Sequence, residues 1–270
     1  MEEQFYLQEK NGVVTLKCRA LDAVKGIVHG FSTRHGGVSE GCCSAMSFSY
    51  NKEPEGIVDE NFRRFCAANG LPFHSLVLTH QTHTAHVVTA DASYKEQGRH
   101  RRLRDTDGLV TAENGLGLVC FAADCVPLLL ADKEGGAVAA VHAGWRGTVH
   151  RIAAHAVEQM VAAGTDPKNI VAAIGPSIGP CHFEVGPEVQ AEFTAAFGAK
   201  LPVVPSVREG HTMVNLWEAN RCVLLESGVL PQNVHVAEVC TYCDHENYHS
   251  HRYTAGQRGS LIGAIAKEDV

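Results

Sequence analysis

Apolar positions along the chain fall into short blocks set off by Gly, Asp, Asn and Pro. Some blocks are brief runs of Val, Leu, Ile and Ala with no helical period, which predict buried strands. Others recur at three to four residues and predict helices. Strands are expected at 13–17, 27–31, 75–79, 86–90, 109–112 and 116–121, and again at 170–174, 212–214, 233–238 and 261–266. Between these groups lie two further runs, Cys125 to Leu130 and Ala137 to His142, joined by an Asp-Lys-Glu-Gly-Gly turn. Helices are expected at 56–69 with Gly70 as the stop, and at 148–163 with Thr148 as cap and Gly164 after it. Two more run from Pro187 to Gly198, with proline at the first helical position, and over 215–227. Asn114-Gly115 reads as a hairpin turn between 109–112 and 116–121. Residues 91–106 read as a polar loop, and Cys240 to Gly259 as a polar, His-rich one. Strands outnumber helices without strict alternation. The expected class is therefore α/β in a mixed, layered α+β form. No linker separates two cores, so residues 1–270 are expected to form a single domain.

Composition narrows the functional classes. A net charge of -7 gives no nucleic-acid footprint, and the one basic cluster, Arg99 to Arg104, reads as a solvated surface loop. No apolar run approaches the ~20 residues of a membrane span, and the acidic start Met1-Glu2-Glu3 is not a secretory signal. Ten scattered cysteines in such a chain read as reduced thiols of a cytoplasmic protein. Sixteen histidines are the compositional outlier, and imidazole is both a common metal ligand and a general acid or base at neutral pH.

The chemistry centres on the paired runs. Cys125 begins one and His142 ends the other, so a thiol and an imidazole could meet at the strand ends far from the turn. Such a pair suits a metal or a Cys-His couple, against a plainly structural Cys and His. His80, His83 and His86 lie between two expected strands, and either His80 or His83 could complete a His2Cys set. Three protein ligands with one open position is the pattern of a catalytic zinc site. A second set, Cys240-x2-Cys243-x-His245 followed by His249 and His251, has metal-ligand spacing of its own. Arg146 lies between Trp145 and Gly147 where a helix should begin, a ready anion site; Arg34, Arg252 and Arg258 are further candidates. Asp107 and Asp124 could orient the histidines.

Several motifs carry a resemblance. Phe31-Ser32-Thr33-Arg34-His35-Gly36-Gly37-Val38-Ser39, Gln81-Thr82-His83, Ala123-Asp124-Cys125-Val126-Pro127 and Val141-His142-Ala143-Gly144-Trp145-Arg146-Gly147 follow in order. Ile174 to Pro180 and Phe183-Glu184-Val185-Gly186 come after them. Together they resemble the bacterial YfiH family, also called the laccase-domain or polyphenol-oxidase-like family, over nearly the whole chain. The resemblance implies a fold like the cytotoxic necrotizing factor catalytic domain, with central mixed β-sheets flanked by helices. It also implies one zinc held by His83, Cys125 and His142, which selects His83 over His80. The implied activity is phosphorolysis of purine nucleosides (adenosine, inosine, guanosine, methylthioadenosine) with adenosine deamination. Cys125, His142 and Arg146 would then be catalytic, and Arg34, Arg146, Arg258 and Gln81 would bind substrate and phosphate. Departures fall at Ser44 to Ser49, at Asn51-Lys52 and at Ser250-His251-Arg252-Tyr253, and Cys243 and His245 lie outside the family pattern. The older label implies a copper polyphenol oxidase, and His2Cys sets do occur at copper. A multicopper enzyme would need several His pairs at short spacing, which this sequence does not supply. Other readings are a metal-free hydrolase, with Cys125 as nucleophile and His142 as base, and a zinc-stabilised binding protein without turnover.

Overall fold

The computed structural model describes residues 4–97, 102–198 and 203–269. Among them, two large mixed sheets form the centre. The first has seven strands, in the order Phe5–Lys10, Val13–Cys18, Ile27–Ser32, Leu261–Lys267, Gly117–Ala122, Leu76–His80 and Arg102–Arg104. The second has six, in the order Val234–Val236, Ile170–Ile174, Val126–Asp132, Val138–Ala143, Gly108–Thr111 and Val87–Thr89. A three-stranded sheet of Glu184–Val185, Thr212–Val214 and Val203–Pro205 stands apart.

The apolar runs explain why the large sheets stack. Successive strand side chains point to opposite faces. Leu129 and Ala131 face the seven-stranded sheet, in one core with Phe31, Leu118 and Ile265. Leu128 and Leu130 face the other way, toward the helices Ile152–Ala162, Pro187–Phe197 and Leu216–Glu226. Both faces are buried, so the strand reads as an unbroken apolar run rather than an alternating one. The outer face of the seven-stranded sheet is covered by the helix Glu55–Asn69 through Val58, Phe62, Phe65 and Cys66. Gly70 closes that helix in the left-handed region, its N–H bonded to the Cys66 carbonyl. The result is four layers, helix, sheet, sheet and helix, as the mixed α/β reading expects.

The central hairpin forms as expected. Val126–Asp132 and Val138–Ala143 are antiparallel, with His142 opposite Pro127 and Ala143 opposite Val126. Other expectations are corrected. Gly108–Thr111 and Gly117–Ala122 are not a hairpin, because each belongs to a different sheet. The Asn114-Gly115 turn has the right local geometry, but it carries the chain from one layer to the other, and Asn114 bridges to Lys267 instead. The helix expected over 148–163 is two helices, Trp145–Val149 and Ile152–Ala162. They break at Arg151, which lies in the left-handed region at φ 62. Thr148 is therefore not a cap; its hydroxyl accepts from Asn220 Nδ2. Residues 91–106 are not wholly loop, since Ser93–Gln97 is helical and Arg102–Arg104 adds an edge strand. Arg99, His100 and Arg101 of the basic run lie outside the described residues. The strand Phe5–Lys10, unanticipated, pairs with Val13–Cys18 at the sheet edge. No helix among the described residues is long and apolar enough to cross a membrane.

Candidate metal centre

The hairpin brings Cys125 and His142 to one edge of the six-stranded sheet. Cys125 precedes the first strand directly, and His142 is the penultimate residue of the second. Between Leu76–His80 and Val87–Thr89 the chain makes a short loop, and His83 stands in it at φ 62. That conformation swings its ring toward the hairpin. His83 Nε2 lies 3.8 Å from Cys125 Sγ, and the His83 and His142 rings meet edge-on with centroids 5.0 Å apart. One ligand atom from each of the three residues lies within 4.8 Å of the others. His80 and His86 do not join them; His86 Nδ1 bonds the Asp105 carbonyl.

Asp107 organises the centre from beneath. It is fully buried, and its two oxygens together accept five hydrogen bonds. Oδ1 takes His142 Nδ1 at 2.8 Å and the His83 amide at 3.0 Å. Oδ2 takes the Thr82 and Thr84 amides and the Thr84 hydroxyl. One carboxylate thus fixes both the loop that carries His83 and the tautomer of His142, whose Nε2 is left to face the cluster. Burial by itself would raise the Asp107 carboxyl, but the hydrogen bonds from His142 and Thr84 outweigh it and hold it at about 2. Burial would likewise raise the Cys125 thiol, yet the charge and hydrogen bond of His142, with help from His83, bring it down to about 6. Burial would lower His142, and the Cys125 thiolate and Asp107 raise it to about 9 instead. A thiolate and two imidazoles converging on one point form a donor set for a borderline-soft cation. Gly144 keeps that point open: a Cβ there would meet His83 Cδ2 at 3.0 Å and Cys125 Sγ at 3.2 Å. The three residues therefore fit a metal ion.

The cluster forms one wall of a pocket of ≈ 400 Å³. Phe121, Trp145, Ile178, Phe183 and Leu216 supply apolar walls, and Gln81, His251, Arg252, Arg258 and Ser260 supply polar edges. Apolar walls with a few convergent polar groups suit a small organic ligand. Asp124, beside Cys125, accepts from the Thr241 hydroxyl and the Arg252 amide, which ties the C-terminal loop to the pocket.

The expected anion contacts divide. Arg258 lines the pocket, with Nη1 on the Gly259 carbonyl and a buried Nε that has no protein partner among the described residues. Burial lowers its guanidinium below the ordinary range. Arg146 is exposed and stacked on Trp145, with 4.3 Å from Cζ to the ring centroid, next to the pocket rather than in its wall. Arg34 is not brought to the pocket: it donates twice to the Ser44 carbonyl and once to that of His245, pinning two loops together. Gln81 lines the pocket, but its amide is anchored to Phe121 through both the N–H and the carbonyl. Arg252 lines the wall while donating to the His182 and Glu184 carbonyls. His251 and Ser260 also line the pocket; the sequence pattern marks His251 only as a member of the second metal-like set, and Ser260 carries no signal.

The second set is rearranged. Cys240 and Cys243 come together, but with Cys181 and His182. His245 turns away to stack on Tyr253 and bond the Tyr242 carbonyl. His249 is buried against the Met46 carbonyl, and His251 lines the pocket.

Comparison with known proteins places these features in context. The family described as multi-copper polyphenol oxidoreductase laccase matches residues 28–268. A purine nucleoside phosphorylase of Deinococcus radiodurans is 39% identical over 239 residues, 88% of this chain and 88% of that protein. An adenosine deaminase from an unknown prokaryotic organism is 38% identical over 203 residues, 74% of this chain and 78% of that protein. The crystal structure of YlmD from Geobacillus stearothermophilus matches with a TM-score of 0.89 at 31% identity, covering 99% of this chain and 100% of that one.

Proposed function

The chain belongs to the multi-copper polyphenol oxidoreductase laccase family, and from that membership and the pocket we propose that it is a zinc-dependent purine nucleoside phosphorylase that also deaminates adenosine. The observation that carries this reading is the three-donor cluster opening onto an aromatic-walled pocket that also holds Arg258. Relatives named purine nucleoside phosphorylase and adenosine deaminase support it.

His83, Cys125 and His142 would hold the zinc, which supplies Lewis acidity at the open side of the site. Phe121, Phe183 and Trp145 would flank the purine and exclude water. Arg258 would receive the phosphate, since its side chain lines the pocket and its buried Nε has no protein acceptor among the described residues, and a charge-assisted bond from the guanidinium suits an oxyanion. Arg146, stacked on the pocket-lining Trp145, would be the second anion contact. Asp107 keeps the His142 proton on Nδ1, which leaves Nε2 as a donor to the metal. The anchored Gln81 amide would present its remaining N–H to the sugar or base.

Metal-replete protein is incubated with a nucleoside panel, with and without phosphate, and the products are read by mass spectrometry. The expected products are free base and ribose 1-phosphate only when phosphate is present, and inosine from adenosine in either condition. Stoichiometric copper with phenol turnover and no nucleoside cleavage would overturn the reading. A metal-free Cys-His hydrolase predicts instead full activity after metal removal and its loss on alkylation of Cys125. One observation disfavours the copper oxidase: among the described residues only two His/Cys groups converge, and neither is rich in imidazole pairs.

A further inference from the structure

A second side-chain cluster lies behind the pocket wall, where the loop after Ile170–Ile174 meets the loop after Val234–Val236. We propose that Cys181, His182, Cys240 and Cys243 form a separate structural metal site that takes one zinc-class divalent cation in a closed Cys3His set.

The distances match such a site. Cys181 Sγ and Cys243 Sγ are 3.6 Å apart. His182 Nδ1 lies 3.3 Å from each of those sulfurs and 4.0 Å from Cys240 Sγ. Zinc bonds to sulfur and imidazole nitrogen give tetrahedral edges of about 3.8 Å between sulfurs and about 3.6 Å between sulfur and nitrogen. A disulfide needs sulfurs at about 2.05 Å, so the present separation is that of ligands rather than of a bonded pair.

The backbone is shaped for a thiolate at Cys240. Cys240-x2-Cys243 folds as a tight turn, and Cys240 Sγ accepts the Gly179 amide at 3.2 Å and the Cys243 amide. Amides aimed at a sulfur stabilise its anionic form. Gly179 permits the close approach of the two loops, because a Cβ there would lie 3.1 Å from Cys240 Cβ and 3.2 Å from Cys181 Sγ. The His182 ring is stacked on Tyr242 with centroids 4.0 Å apart, which directs Nδ1 at the sulfurs. Four protein ligands leave no open coordination position, so the site is structural and not catalytic. The two pairs of ligands are far apart in sequence, and the metal would crosslink the two loops.

The crosslink has a consequence for the first pocket. The clamped loops contribute Ile178, Phe183, His251 and Arg252 to its wall, and Thr241 holds Asp124 beside Cys125. Loss of the second metal would then raise KM for the nucleoside more than it lowers kcat, a corollary that rests on the function proposed above. The metal count does not.

The test is elemental analysis of the full chain, expressed with zinc and purified anaerobically without chelator. Wild-type protein is expected to hold two zinc ions per chain, Cys243→Ser one, and His83→Ala/Cys125→Ser one. X-ray absorption of that last variant is expected to show a sulfur-rich shell with Zn–S at about 2.3 Å. If Cys243→Ser does not fold, Cys181→Ser, at an exposed position, gives the same count. Metal-free His83→Ala/Cys125→Ser protein, unchanged wild-type stoichiometry in the Cys181 and Cys243 variants, or a Cys181–Cys243 disulfide in the intact mass would each overturn the site. Wild-type protein with a single zinc that only the Cys243 or Cys181 change removes would support this site and sink the zinc-dependent function instead.

Discussion

Replacing Asp107 by Asn tests the centre most sharply, because it removes a charge and one acceptor without changing shape. The wild-type carboxylate accepts five hydrogen bonds while fully buried. An Asn can accept at one end only. If its oxygen stays toward His142 and His83, its NH2 confronts the Thr82 and Thr84 amides, and two part-buried donors lose their acceptor. If it turns the other way, the NH2 faces the His83 amide and His142 Nδ1. His142 would then have to accept at Nδ1 and carry its proton on Nε2, the atom needed for the metal. Each donor left without an acceptor costs about 1–3 kcal/mol, so the first orientation costs about 2–6 kcal/mol and the second about 1–3 kcal/mol together with the wrong His142 tautomer. At about 2 °C per kcal/mol for a chain of this length, that lowers Tm by roughly 2–12 °C. Loss of the partner of a metal-binding His also weakens metal affinity about 10–100-fold. The assays are thermal unfolding with and without zinc, and competition against a chromogenic chelator. A pH series adds an independent check. The native Asp107 carboxyl, at about 2, is more acidic than an ordinary one near 3.8. Its contribution to stability is therefore fully present above pH ~4 and is lost as pH falls toward 2. The Asn variant should lack that segment of the acid profile. An Asp107→Asn protein with wild-type Tm and wild-type metal affinity would refute the role assigned to this carboxylate.

Further outcomes follow from the same geometry. Gly144→Ala should reduce metal occupancy while leaving secondary structure intact, because the added methyl would sit 3.0 Å from His83 and 3.2 Å from Cys125; elemental analysis alongside circular dichroism checks it, and full occupancy would count against the cradle. Arg258→Gln should raise KM for phosphate at least tenfold, the loss of about one charge-assisted bond, and leave adenosine deamination within a few fold, since only one of the two reactions uses phosphate; equal losses in both would place Arg258 elsewhere in the mechanism. In metal-free protein, alkylation of Cys125 should follow a midpoint near pH 6 and rise with pH, because the thiolate fraction grows through that value. Added zinc should block it, and peptide mapping by mass spectrometry distinguishes this thiol from the buried Cys120, whose thiol burial raises to about 12.

Much of the architecture was legible in the sequence, because local periodicity reports burial. The apolar runs 125–130 and 137–142 could be paired from the turn between them, and the structure joins them with His142 opposite Pro127. The helix over Glu55–Asn69 was visible in Val58, Phe62, Phe65 and Cys66, and its end in Gly70. Cys125 and His142 followed from the hairpin, since a short turn fixes which strand ends meet. Tertiary structure decided whatever depended on contacts between layers. Asn114-Gly115 specifies a tight turn, but whether the following strand returns to its own sheet or crosses to the next depends on which face still needs covering. The break at Arg151 is equally silent in a helical period. Residue spacing alone left His80 and His83 open, and the family motif favoured His83; the fold brings that ring to the cluster through a left-handed loop residue and hydrogen bonds from the loop to Asp107. Arg34 has the charge of a phosphate ligand, but nearby carbonyls engage it before any ligand can. Cys240-x2-Cys243 announced a metal-like turn, yet the sequence pointed to His245, two residues on. The partners that converge there, Cys181 and His182, come from a loop about sixty residues earlier. Sequence determines what each segment can bury and which groups it carries; which distant groups end up within bonding distance is fixed only when the four layers close on one another.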